Sequence, residues 1–228
     1  MISISDAQRA PLPEVRFLAT IPHGLPRALY SFRARADGYL AFVGRISPEK
    51  RVDSAMRVAR EAGLPLRIAA KVDPADRAYF QSEIRPLLDS MPNVEFLGEI
   101  GDRAKAELLG GARALLFPID WPEPFGLVMI EALACGIPVI ARRRGSVPEI
   151  LRNGVTGFLC ETETEMAGAV ARLHEVDRLR CREEFEARFS DRVMAERYLE
   201  VYRRVASSPA AERVEIEEVS SADQLSNA

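Results

Sequence analysis

Ala114-Leu115-Leu116-Phe117, Pro118-Ile119-Asp120-Trp121-Pro122-Glu123-Pro124-Phe125-Gly126, Leu127-Val128-Met129-Ile130-Glu131-Ala132-Leu133-Ala134-Cys135 and Gly136-Ile137-Pro138-Val139-Ile140-Ala141 follow one another without a gap. They read as strand, stiff loop, helix and strand. The first run is wholly apolar and has strand length, as burial on both faces of a sheet requires. Three prolines and a glycine then stiffen a loop that opens a helix over about 126–135, and a second apolar run closes the unit. A strand returning through a helix to a parallel strand is the building block of a parallel sheet covered on both faces.

The same texture extends outward in both directions. Apolar runs stand at Tyr39–Val43, Leu66–Ala70, Val94–Leu97 and Gly157–Leu159, with helical stretches expected at about 53–62, 75–89, 102–110 and 163–174. The alternation predicts an α/β fold, a doubly wound Rossmann-like sheet. Two more helices are expected at about 177–188 and 191–206. The second carries Met194, Tyr198, Val201, Tyr202 and Val205 at helical spacing as one apolar stripe. Residues 1–14 read as a loose end, Val15–Ile21 as a strand, and 25–37 as a connector. These divide the chain into an N-terminal tail and hinge-like remnant over 1–38, a domain over 39–206, and a small, polar, acidic tail over 207–228 expected to be disordered.

Composition narrows the function. The 228 residues are 47% hydrophobic and 29% charged, with a net charge of −3. No basic field draws in nucleic acid. Cys135, Cys160 and Cys181 are too few and too scattered for a disulfide framework or a zinc site, so reduced thiols and a cytoplasmic location are expected. No apolar run reaches membrane-spanning length, which leaves peripheral membrane contact open. Neither GxGxxG nor a Walker pattern is present, which disfavours a dinucleotide oxidoreductase or a P-loop NTPase.

An open parallel sheet binds ligands beyond the carboxyl ends of its strands. After the first main strand comes Gly44-Arg45-Ile46-Ser47-Pro48-Glu49-Lys50-Arg51. Arg45 and Lys50 suit a diphosphate there, one as a chelating fork and the other as a point charge; an ordinary surface loop is the alternative. In the 118–131 segment, Glu123 lies in the loop and Glu131 sits more than a turn into an apolar helix. The free amides of that first turn favour anions. Facing the cleft, Glu131 can accept hydrogen bonds from a ribose diol; facing water, it is only a helix former.

Glu123-Pro124-Phe125-Gly126-Leu127-Val128-Met129-Ile130-Glu131 resembles the paired-glutamate signature of family 4 glycosyltransferases, retaining enzymes of the GT-B fold. Ala132–Ala141, Gly145-Ser146-Val147-Pro148-Glu149-Ile150, Asn153–Phe158, Gly44–Lys50 and Val94-Glu95-Phe96-Leu97-Gly98 resemble further segments of that family in its order, covering about 39–160. The resemblance implies a nucleotide-sugar donor bound in a cleft between two Rossmann-like domains, transfer with retention, and no catalytic metal or cofactor. It assigns Arg45 and Lys50, with Gly44, to the donor diphosphate and the leaving-group charge, and Glu131 to the ribose. Glu123 then contacts the transferred sugar, the amides near Phe125, Gly126 and Leu127 place hydroxyls and phosphate, and Leu97 and Gly98 lie along the base.

Departures qualify the expectation. About 38 residues precede Tyr39, where the family has a domain that supplies the acceptor site and usually a catalytic His. The chain therefore reads as the C-terminal donor half of such an enzyme, inactive without an N-terminal domain. The competing function is a stand-alone sugar-nucleotide-binding or regulatory module. His23 reads as satisfying a turn rather than as catalytic, His174 as facing water, Arg142-Arg143-Arg144 as facing water in preference to lining the cleft, and Trp121 as loop packing at the border of the sugar site. Arg51 and Ala70 stand where the family often has Gly. The stripe over 191–206 is expected to fold onto its own domain or to pair two copies.

Overall fold

In the computed structural model, which describes residues 1–207, six strands form one wholly parallel sheet. Two short strands, β1 (Ile2–Ser3) and β2 (Ala19–Thr20), pair apart from it. The main strands are β3 (Leu40–Arg45), β4 (Leu66–Lys71), β5 (Val94–Gly98), β6 (Ala114–Phe117), β7 (Val139–Arg142) and β8 (Gly157–Cys160). Their order is β5-β4-β3-β6-β7-β8. The chain thus builds outward from β3 in one direction, then crosses back to lay β6 on the other side. The expected α/β doubly wound sheet is present, with all six apolar runs as strands.

The helices are α1 (Val52–Glu61), α2 (Arg77–Tyr79), α3 (Arg85–Ser90), α4 (Asp102–Gly111), α5 (Leu127–Ala134), α6 (Val147–Ile150), α7 (Glu163–Ala171), α8 (Arg178–Arg188) and α9 (Asp191–Ala206). α1 packs on α7 over one face, while α4, α5 and α8 cover the other. Two-sided cover explains the apolar strands: Leu40, Ala41, Ile68, Leu115, Leu116, Val139 and Ile140 are all fully buried.

Differences from the sequence reading have local causes. The helix expected over 75–89 is interrupted by a π-helical turn, Phe80–Ile84, just before Pro86. Proline lacks an N–H and its ring crowds the carbonyl four residues back, so the helix widens there. The helix expected over 163–174 breaks after Ala171 and resumes as a 3₁₀ turn at Leu173–Glu175. α6, a single turn, has no periodic signature and was not foreseen. Val15–Ile21 is strand only at Ala19–Thr20, because its partner offers just two residues.

Residues 1–9 are not a loose end, whereas residues 10–14 are exposed. Ser3 and Ser5 are buried, Ser5 Oγ donates to the Pro124 carbonyl, and the amides of Asp6 and Ala7 donate to the Glu149 carboxylate at 2.7 and 2.8 Å. The segment looks solvated by composition, but Ser5, Asp6 and Ala7 tie its first half to the domain. α9 matches its expected bounds, yet its stripe divides. Met194 Sδ accepts the Gly24 amide at 3.2 Å and Val201 is buried, whereas Tyr202 and Val205 are exposed. The tail expected to be disordered lies almost wholly outside the described residues.

Candidate functional site

The point where the strand order reverses, between β3 and β6, opens a crevice beyond the strand ends. A cavity of about 270 Å³ occupies it. Phe42, Val43 and Gly44 of β3 form one wall, and Phe117 and Ile119 at the end of β6 another. Gly126, Leu127 and Val128 supply the start of α5, and four charged side chains, Lys50, Lys105, Glu123 and Glu131, complete the lining.

Those four form two lysine–carboxylate pairs. Lys50 Nζ pairs with Glu123 Oε2, and the Trp121 indole N–H donates to the same oxygen at 2.8 Å. The Lys50 ammonium also lies 5.0 Å from the Trp121 ring centroid and 5.9 Å from that of Phe117, within cation–π range. Lys105 Nζ donates to Glu131 Oε1 at 2.7 Å, and the Tyr30 hydroxyl donates to that oxygen at 2.8 Å. Burial alone would lower the Lys105 pKa; the hydrogen bond and charge of Glu131 outweigh it and raise it. Burial first, and then the neighbouring Glu131 carboxylate, drive the Tyr30 phenol well above its ordinary value. Lys105 is therefore a cation and Tyr30 a fixed neutral donor at any ordinary pH.

The loop bearing Glu123 is held from several sides. Ser146 donates its amide to the Glu123 carbonyl and its hydroxyl to the Phe125 carbonyl, both at 2.9 Å. Gly145, at φ +51, lets the backbones meet: a Cβ there would lie 2.4 Å from the Glu123 amide nitrogen and carbonyl oxygen. The Asp120 amide donates to the Glu49 carbonyl at 2.9 Å, joining this loop to the one after β3. Gly126 caps α5 at φ 79, ψ 69, a left-handed conformation costly for other residues, and with Leu127 and Val128 it places the start of the helix in the cavity wall. The His23 ring meets Phe125 edge-on at 5.0 Å, and burial lowers its pKa.

The structure thus brings Gly44, Lys50, Glu123, Gly126, Leu127 and Glu131 together. Phe125 is buried behind the loop. Arg45 is not in the lining. Its half-exposed guanidinium reaches Glu49 at 2.8 Å, Asp76 at 3.8 Å and Asp73 at 3.9 Å. Leu97 and Gly98 end the edge strand β5, two strands from β3, and do not line the cavity. Sequence reading missed Lys105 and Tyr30. Lys105 has a usable signal, since it lies one turn into the helix that follows β5. Tyr30 has none, because its segment carries no periodicity. Trp121 does more than pack the loop, for it hydrogen-bonds Glu123.

Arg142-Arg143-Arg144 does not simply face water. Arg142 is mostly buried and pairs with Asp120 at 3.2 Å, Arg144 pairs with Asp120 and Glu161, and Arg143 pairs with Glu161. Arg51, left-handed at φ 54, joins Asp53, Asp120 and Glu163. These links tie the β3, β6 and β7 loops together at one rim. His174 is exposed at a helix end, as expected. Among the described residues no three His, Cys, Asp or Glu side chains are grouped to hold a metal ion, and no helix is long and apolar enough to cross a membrane.

Residues 32–190 match the profile of the family described as glycosyl transferases group 1. The chain belongs to this family. It is 32% identical over 217 residues to a D-inositol 3-phosphate glycosyltransferase of Saccharomonospora viridis, covering 87% of this chain and 50% of that protein. It is 32% identical over 187 residues to an alpha-maltose-1-phosphate synthase of Mycolicibacterium smegmatis, covering 74% and 48%. The chain therefore spans about half the length of these curated relatives. Among solved structures it resembles AviGT4, a glycosyltransferase involved in avilamycin A biosynthesis, with a TM-score of 0.78 and 27% identity over 91% of this chain and 64% of that one. The fold is also that of Anabaena HepE in complex with UDP and glucose, with a TM-score of 0.77 and 20% identity over 89% of this chain and 62% of that one. The parallel six-stranded sheet flanked by helices is thus that of GT-B glycosyltransferases.

Proposed function

We propose that this chain is the C-terminal, donor-binding half of a retaining family 4 glycosyltransferase, and that its ligand is a nucleotide-diphosphate sugar held without a metal or other cofactor. The observation that carries the reading is the switch-point cavity itself, where two lysines, two buried carboxylates and the first residues of α5 converge. Cations and helix-start amides suit a diphosphate, and buried carboxylate oxygens suit sugar hydroxyls.

In this reading Lys50 and the amides at Gly126 and Leu127 take the diphosphate, and Glu131 takes the ribose. Glu123 contacts the transferred sugar. Arg45 joins the diphosphate by leaving its surface acids, and Leu97 and Gly98 extend the base side of the cleft. Lys50 and Arg45 stabilise the charge that develops on the leaving diphosphate. A site covered by only one domain stays wet, which weakens fixed-charge stabilisation, and nothing holds an acceptor in line. The 228-residue chain alone is accordingly proposed to bind donor but to transfer negligibly. The exposed end of α9, with Tyr202 and Val205, is proposed to meet either a second copy or an N-terminal domain; sedimentation velocity of wild type and Tyr202→Glu distinguishes a dimer from a monomer.

The binding claim is tested by calorimetric titration with UDP-, GDP- and ADP-sugars in the presence of a chelator. One of them should bind with a Kd of a millimolar or tighter, about −4 kcal/mol. No heat from any of the three at millimolar ligand contradicts the reading.

A further inference from the structure

Tyr30 belongs to the connector between β2 and β3, yet it is only 1% exposed. Its hydroxyl and the Lys105 ammonium donate to the same atom, Glu131 Oε1, at 2.8 and 2.7 Å. Two donors from different elements on one oxygen fix the carboxylate plane, because rotation about its last bond breaks both contacts. Among the described residues Oε2 takes no such donor, and Glu131 lines the cavity. The tyrosine is itself anchored. Arg182 Nη1 on α8 donates to the carbonyls of Tyr30 and Ala134 at 2.7 and 2.5 Å, clamping the connector to the end of the helix that carries Glu131. A carboxylate with one oxygen spent inside the fold and the other left toward the cavity is a one-atom acceptor of set direction.

We propose that Tyr30 is a positioning residue for the ligand: its hydroxyl holds Glu131 so that Oε2 accepts from the vicinal diol of the nucleotide's ribose. The assignment rests on the donor-site reading above. Had Tyr30 only a structural task, its hydroxyl would matter equally for ligands with and without that diol. Its removal should instead be felt through the diol alone.

The test is Tyr30→Phe in the full chain, which removes one oxygen, titrated with UDP and with 2′,3′-dideoxy-UDP. UDP binding should weaken about tenfold, the loss of roughly one hydrogen bond to a charged group, while the dideoxy nucleotide binds as it does to wild type. In a Glu131→Ala background Tyr30→Phe should add no further loss for UDP. Equal weakening of both nucleotides, unchanged UDP binding, or failure of Tyr30→Phe to fold by circular dichroism overturns the positioning role. Where the wild type takes GDP or ADP instead of UDP, that nucleotide and its dideoxy form serve as the pair; a wild type that binds none of the three overturns the donor-site reading and this assignment with it, whereas the other failures leave that reading standing.

Discussion

Glu131 and Arg45 are both charged groups near the same crevice, but they are held in opposite ways. Glu131 sits on α5, 7% exposed, with a buried tyrosine and a lysine fixed on one of its oxygens. Arg45 ends β3 with its guanidinium half in water, shared among three surface acids. Its hydrogen bond to Glu49 is the first cause of its raised pKa, so it stays charged while remaining free to reorient. Buried paired charges are costly to break, whereas exposed pairs contribute about 0–1 kcal/mol. The carboxylate side of the cavity is therefore preorganised, whereas under the proposed function the phosphate side would combine the paired Lys50 with an Arg45 that has to leave its acids to reach the ligand. The contrast predicts that substitutions on the carboxylate side disturb fold and binding together, while those at Arg45 disturb binding alone.

The largest effect is expected where the fixed side leans on backbone. Gly145→Ala places a Cβ against the backbone of Glu123 at a positive φ. It should destabilise the chain by about 3 kcal/mol or more, the combined cost of left-handed strain and steric displacement. Urea unfolding measures it, and a shift below about 1 kcal/mol would show that the loop yields more easily than its packing suggests.

Glu131→Ala comes next. It leaves Lys105 without its closest carboxylate and Tyr30 without an acceptor, so stability should fall by about 2–3 kcal/mol. Nucleotide affinity should fall by about 1.5–3 kcal/mol, through the ribose. Arg45→Ala should leave the unfolding midpoint within about 0.5 kcal/mol of wild type yet weaken diphosphate ligands by about 1.5–3 kcal/mol, with little effect on a nucleoside lacking phosphate. Equal losses of stability in the two variants would erase the contrast.

The smallest effect concerns the rim. Hydrogen bonding to Arg57 is the leading cause that lowers the Glu163 pKa from the usual 4.5 to about 2. A lowered folded value means that its stabilisation is present above pH 4.5 and drains away as pH falls toward 2. Because Glu163 is partly exposed, solvent screening reduces this contribution to about 1 kcal/mol. Glu163→Gln should lower stability by about that amount at pH 7, and the gap from wild type should close in acid. A gap independent of pH would assign the effect to packing.

The parts legible in the sequence are those governed by local rules. Apolar runs between amphipathic stretches give the sheet, because two-sided burial leaves only apolar residues in Leu40–Phe42 or Leu115–Leu116. Glu123 and Glu131 were visible because a stiff loop and an apolar helix make carboxylates conspicuous. What escaped depends on contacts between distant segments. Tyr30 meets Glu131 across 101 residues and Ser5 meets Pro124 across 119, with no periodicity to mark either. The arginine run 142–144 looks solvated in sequence, and only the fold brings Asp120 and Glu161 to it.

The central claim, that the switch-point cavity is a nucleotide-sugar site, is tested most directly by a crystal structure of this chain with a nucleoside diphosphate that it binds. The account predicts the ribose hydroxyls on Glu131, the diphosphate between Lys50 and the first turn of α5, and the Arg45 guanidinium turned away from Asp73 and Asp76 toward the phosphates. A nucleotide bound elsewhere on the sheet, or one in the cavity with its diphosphate away from Lys50, would contradict it.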